Sequence, residues 1–123
     1  MFETNSPQVI NTAVNLLQRY AEGKRNFSGA NLINADLQGV DLKGCDLSYA
    51  DLTGANLNGA NLRGCDLSFA NFSQANLQNA DLRGALLFSA DFRQGYLQGI
   101  KLEKADWDGN THFPDNFDPA LGG

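Results

Sequence analysis

From Arg25 to Gly109 the chain divides into fives without insertion or deletion: RNFSG, ANLIN, ADLQG, VDLKG, CDLSY, ADLTG, ANLNG, ANLRG, CDLSF, ANFSQ, ANLQN, ADLRG, ALLFS, ADFRQ, GYLQG, IKLEK, ADWDG. These seventeen units take up 85 of the 123 residues. The middle residue is Leu in thirteen, Phe in three and Trp in one; two places before it stands Ala in eleven, and directly before it Asp or Asn in fourteen. A period of five suits neither a helical stripe at 3.6 nor a strand at 2. It suits a solenoid in which each unit forms one short side of a coil. The segments KGCDLSYADL at 43–52 and RGCDLSFANF at 63–72 repeat nearly unchanged. That recurrence fixes the coil at four units.

The faces can then be numbered by their central residues. Face one stacks Phe27, Leu47, Leu67, Leu87 and Trp107, and face two Leu32, Leu52, Phe72 and Phe92. Face three stacks Leu37, Leu57, Leu77 and Leu97, and face four Leu42, Leu62, Leu82 and Leu102. With coils rising by about 4.8 Å, the body is roughly 20 Å tall. Asp and Asn interchange before the central residue, so that position needs a carbonyl-type oxygen for a backbone N–H at a turn and has no need of the charge.

The tandem A-(D/N)-L-x-x unit resembles the pentapeptide repeat family. That resemblance implies an all-β solenoid, a right-handed quadrilateral parallel β-helix, in which the central residue and the one two before it point inward and the other three face solvent. The leader LLQRYAEGKRNFSGANL and the ending FPDNFDPALGG are similar to the flanks of cyanobacterial members.

An open coil exposes an apolar rung at each end, so caps are expected. Residues 1–24 read as an N-terminal capping α-helix near 7–22, with Ser6 as N-cap, Pro7 in the first turn and Gly23 as terminator. Val9, Ile10, Ala13, Val14, Leu16, Leu17, Tyr20 and Ala21 supply its apolar face. Residues 25–109 form the β-helix, and residues 110–123 a capping tail in which Phe113, Phe117 and Leu121 cover Trp107.

The net charge of −5 offers no basic face for nucleic acid. No secretory leader or membrane span is expected, which makes the cytoplasm the simplest location. Cys45 and Cys65 occupy inward positions on adjacent coils and read as reduced, buried thiols, because parallel neighbours suit a disulfide poorly. The single histidine, His112, lies outside the repeat, so neither a metal site, a cofactor nor a catalytic constellation is expected. Lys43, Arg63 and Arg83 stack on face four, where Asp41 and Asp81 should compensate them. Gln38, Asn58, Gln78 and Gln98 should form an amide ladder on face three, and Tyr96 stands alone there.

Departures from the unit carry the functional signal. Leu86 replaces the usual Asp or Asn, and it should point outward together with Phe88, Phe69 and Tyr49 on the same face. Such a patch indicates contact: either the C-terminal tail or a second copy covers it, or a separate partner does. The leading expectation is therefore a non-catalytic interaction or scaffold protein, monomeric or weakly dimeric, whose partner is another protein. A purely structural or stress-related role is a third possibility. The resemblance also suggests a DNA-mimicking modulator of DNA gyrase, a role seen among acidic dimeric relatives. A duplex carries a charge every ~1.7 Å, however, so imitation over this height needs about twelve negative charges.

Overall fold

A computed structural model of the chain describes residues 12–121. Fourteen parallel single-residue bridges run along it, from Asn26↔Asp46 to Asp91↔His112. Thirteen join residues twenty apart, which makes the coil four units long. The architecture is the right-handed quadrilateral β-helix.

One unit explains the rest. The Leu47 N–H donates to the Asp66 carbonyl of the next coil at 2.8 Å, and the Asp66 N–H donates back to the Cys45 carbonyl at 3.0 Å. The Tyr49 N–H reaches the Ser68 carbonyl at 2.9 Å, and the corner closes with Ala50 N–H on Leu47 O at 3.1 Å. Backbone groups are thus satisfied between coils, as an interior demands. The last residue of every unit before the final one turns the corner in the left-handed region, at φ +75° for Gly44 and +66° for Gly64. Glycine takes that conformation without a steric penalty.

The Asp/Asn column does what its interchangeability predicted. In thirteen units its Oδ1 accepts from the N–H two residues on, at 2.9–3.3 Å. Replacing Asp66 with Asn should leave stability within about 0.5 kcal/mol, whereas Asp66→Ala should cost about 1 kcal/mol by stranding the Ser68 amide. Thermal unfolding of the two variants compares them; equal losses would show that the charge mattered.

The two inward columns make up the core. Leu57, Leu77 and every central Leu from Leu37 to Leu87 are 0% exposed, as are Ala55, Ala60, Ala75 and Ala80. Phe72 stacks on Phe92 at 4.9 Å, so even the bulky centres keep the coil spacing.

The N-terminal lid is helix α1, Ala13–Ala21, which starts later than expected. Thr12 is the N-cap, its hydroxyl accepting from the Asn15 amide at 3.1 Å; Ser6, Pro7, Val9 and Ile10 lie outside the described residues. Leu16 is fully buried against the first coil, with Ala13, Leu17 and Tyr20 half-buried beside it. Val14 is 73% exposed and Ala21 is exposed too, so the apolar face is narrower than its sequence suggested. The Tyr20 hydroxyl donates to the Lys43 carbonyl at 2.9 Å, and the Arg25 guanidinium lies 3.7 Å above its ring. Burial, only partly offset by Arg25, raises the Tyr20 hydroxyl above its ordinary pKa.

At the other end the ladder runs past Gly109. One extra residue shifts the register to Asp91↔His112, and Phe113 lands on Phe92 with ring centroids 5.5 Å apart. Trp107 meets Phe113 edge-on at 5.9 Å, and Phe117 packs on Phe113 at 5.5 Å. Thr111 donates to the Leu87 carbonyl at 2.8 Å, and Asp108 accepts from the Ser89 amide at 3.1 Å. Against the opposing pull of desolvation, the Ser89 and Asn110 amides hold the Asp108 carboxyl below its usual range. Leu121, expected in this lid, is instead 82% exposed: it lies in a short 3-10 turn, Pro119–Leu121, beyond the aromatic cluster.

Candidate interaction face

Tyr49, Phe69, Leu86 and Phe88 lie on face one of three consecutive coils. Asp66 bridges Leu86, and the Phe69 N–H donates to the Phe88 carbonyl at 2.8 Å. Tyr49 and Phe69 stack with centroids 4.8 Å apart and planes 1° from parallel, yet remain 62% and 52% exposed. Leu86 is 37% exposed and Phe88 half-buried. The described C-terminal residues close the coil end and leave the two stacked rings open to solvent.

The backbone beneath these rings is that of the other corners, but their side chains are not. Both aromatics sit at the corner position, at φ +62°. A left-handed residue bearing a side chain costs about 1–2 kcal/mol; half of the left-handed corners avoid this with glycine, and the others carry Asn, Gln, Ser or Lys, so Tyr49 and Phe69 are the two aromatic residues among them. Leu86 makes a comparable sacrifice, because it has no oxygen to accept the Phe88 amide as Asp46 does for Ser48 and Asp66 for Ser68. Three of these four side chains therefore occupy positions where the fold itself favours a different residue.

Elsewhere the surface departs from expectation. Asp81 chelates Arg83 at 2.6 and 2.9 Å, and this guanidinium hydrogen bond holds the Asp81 carboxyl below its usual range. Lys43 and Arg63 have no ion pair among the described residues; Asp41 is occupied with the Lys43 backbone amide instead. Compensation of the face-four column is thus confined to Arg83. On face three Gln38 bonds Asn56 at 3.1 Å in place of Asn58, while an amide pair forms on face two between Gln74 and Gln94. Arg93 grips Asp91 in the same way that Arg83 grips Asp81, at 2.8 and 3.0 Å. Side-chain reach decides these pairings, and the repeat pattern does not encode it.

Inside, Cys45 and Cys65 are free, stacked and buried, with sulfurs 3.6 Å apart. The Cys65 thiol donates to the Leu42 carbonyl at 3.0 Å. The hydrogen bond shared with Cys65, together with burial, pushes the Cys45 thiol well above the ordinary range. A thiol held protonated in this way is a poor nucleophile. Among the described residues no group of three or more His, Cys, Asp or Glu is placed to hold a metal, and no helix is long and apolar enough to cross a membrane.

The square coil, its Asx corners and its two inward columns define a repeat protein of one class. The family described as Pentapeptide repeats matches residues 26–64 and 65–103 in eight copies, and the chain belongs to it. It is similar to the crystal structure of alr5209, a pentapeptide repeat protein from Nostoc PCC 7120, at 62% identity over 95% of each chain and a TM-score of 0.90. It is also similar to a pentapeptide repeat protein of the Arabidopsis thaliana thylakoid lumen, at 33% identity over 73% of this chain and 55% of that one, with a TM-score of 0.53. No curated protein matches the chain.

Proposed function

We propose that this pentapeptide repeat protein is a non-catalytic interaction module that presents face one, through Tyr49, Phe69, Leu86 and Phe88, to a protein partner. The observation that carries the reading is the Tyr49–Phe69 stack, two parallel rings left open to solvent on adjacent coils. The fold gains no buried core from these rings, and a solvent-facing apolar column brings an aggregation cost. A binding surface gives them a use, since rigid aromatic anchors are what interfaces favour. The charge does not support imitation of duplex DNA, because the whole chain carries a net of only −5.

Replacing Phe69 and Phe88 with Ser tests this. Ser89 already occupies the corner position of the same face at φ +58°, and Ser48 and Ser68 stand in the column of Phe88. The double variant should therefore keep its fold. It should lose captured partners by about tenfold or more, the order of one anchor residue of 1.4 kcal/mol or above. Unchanged capture by a folded double variant would make face one an idle surface.

A further inference from the structure

Face one has a rim as well as a centre, and toward face two the rim is acidic. The carboxylates on this face and along its corner with face two are Asp46, Asp51, Asp66, Asp91, Asp106 and Asp108. Among the described residues only Asp91 is ion-paired, to Arg93. Asp46, Asp51 and Asp66 each use Oδ1 to cap the amide two residues on, which leaves Oδ2 without a described partner. The repeat body's other cations are held elsewhere. Lys43, Arg63, Arg83 and Lys101 lie on face four, Lys104 stands at the opposite corner of face one, on the last coil beyond the stacked rings, and Arg25 is held over the Tyr20 ring.

Resting on the face-one reading above, we infer that the partner is a protein segment with an apolar or aromatic centre flanked by Arg or Lys. A purely apolar partner, or one with acidic flanks, strips water from these carboxylates and returns nothing. Basic flanks restore the lost interaction and bring the partner in along the field. A guanidinium also suits the open faces of stacked Tyr and Phe rings, and Arg25 over Tyr20 shows the same contact within this chain.

The Asx corner supplies a clean test. Asn takes the same role as Asp in six units, so D46N/D66N removes two rim charges while keeping the turns; D36N/D41N removes two charges from faces three and four in the same way. The probe is a short synthetic peptide alternating Arg and Trp, with its Glu-for-Arg counterpart, titrated against the full chain by fluorescence anisotropy at low salt and at about 0.3 M salt. The Arg peptide should bind about tenfold tighter than the Glu peptide at low salt. D46N/D66N should remove most of that preference, and D36N/D41N should spare it. Equal binding of the two peptides, or equal weakening by the two Asn pairs, overturns the inference. If F69S/F88S weakens the Arg peptide while D46N/D66N does not, the apolar face stands and only the basic partner falls. If F69S/F88S changes nothing, the face-one reading itself fails. Sedimentation of the wild type alone should show a monomer; a dimer that D46N/D66N dissociates makes a second copy the occupant and overturns the partner assigned here.

Discussion

Leu67→Ala should cost about 3–5 kcal/mol, toward the upper end for a large-to-small change. Leu67 is 0% exposed, and it stands between Leu47 and Leu87 in the middle of its column. In many cores neighbouring elements shift to fill part of such a cavity. Here the coils above and below are pinned by bonds from Leu47 N–H to Asp66 O and from Leu67 N–H to Leu86 O, both 2.8 Å. The walls cannot close, so the cavity persists. The midpoint of thermal unfolding should fall by roughly 10–20 °C, given a few degrees per kcal/mol for a domain of this size. A loss below about 1 kcal/mol would mean that the coils are free to collapse.

Ala60→Leu should be as damaging for the opposite reason. Val40 and Ile100, larger than Ala, occur in this inward column only on the first and last coils, while Ala60 and Ala80 between them are fully buried. The tightness of the neighbouring column can be measured at Gly95, where an added Cβ would lie 3.1 Å from the Phe92 carbonyl oxygen and 3.2 Å from that of Ala75. Three further carbons at position 60 have nowhere to go unless adjacent coils separate and their ladder bonds lengthen. Overpacking of this sort costs about 1–3 kcal/mol where side chains can adjust; with backbone as the obstacle, about 3 kcal/mol or more is expected. Urea titration with an unchanged midpoint would show that the axis has room.

These effects follow from features open to view in the sequence. Seventeen uninterrupted fives specify the coil, the columns and the register, because one shift of the frame would turn every Leu outward. The Asx corners were equally legible, since free exchange of Asp and Asn discloses a role for the shared oxygen alone. What the repeat does not encode was harder to see. Thr12 is a helix cap by residue type, but nothing in the sequence pattern marks it above its polar neighbours; the Asn15 amide on its hydroxyl does. The aromatic register beyond Gly109 was hidden by one inserted residue, which carries Phe113 onto Phe92 while breaking the period that would have revealed it. Column position points Lys43 to Asp41 and Gln38 to Asn58, but flexible side chains choose partners by reach. For face one, the sequence placed four apolar residues on one surface. The left-handed corners beneath Tyr49 and Phe69 emerge from the backbone, although their place in the unit, where Gly44 and Gly64 also stand, was the available signal.

Two tyrosines allow the central claim to be tested within one molecule. Tyr49 on face one and Tyr96 on face three are 62% and 54% exposed, so free protein should be oxidised at both by hydroxyl radicals. In an extract of the cells that make the protein, partner binding at face one should protect Tyr49 and Phe69 and leave Tyr96 as reactive as before. Protection of Tyr96 with Tyr49 still open, or equal reactivity of both with and without extract, would contradict the account.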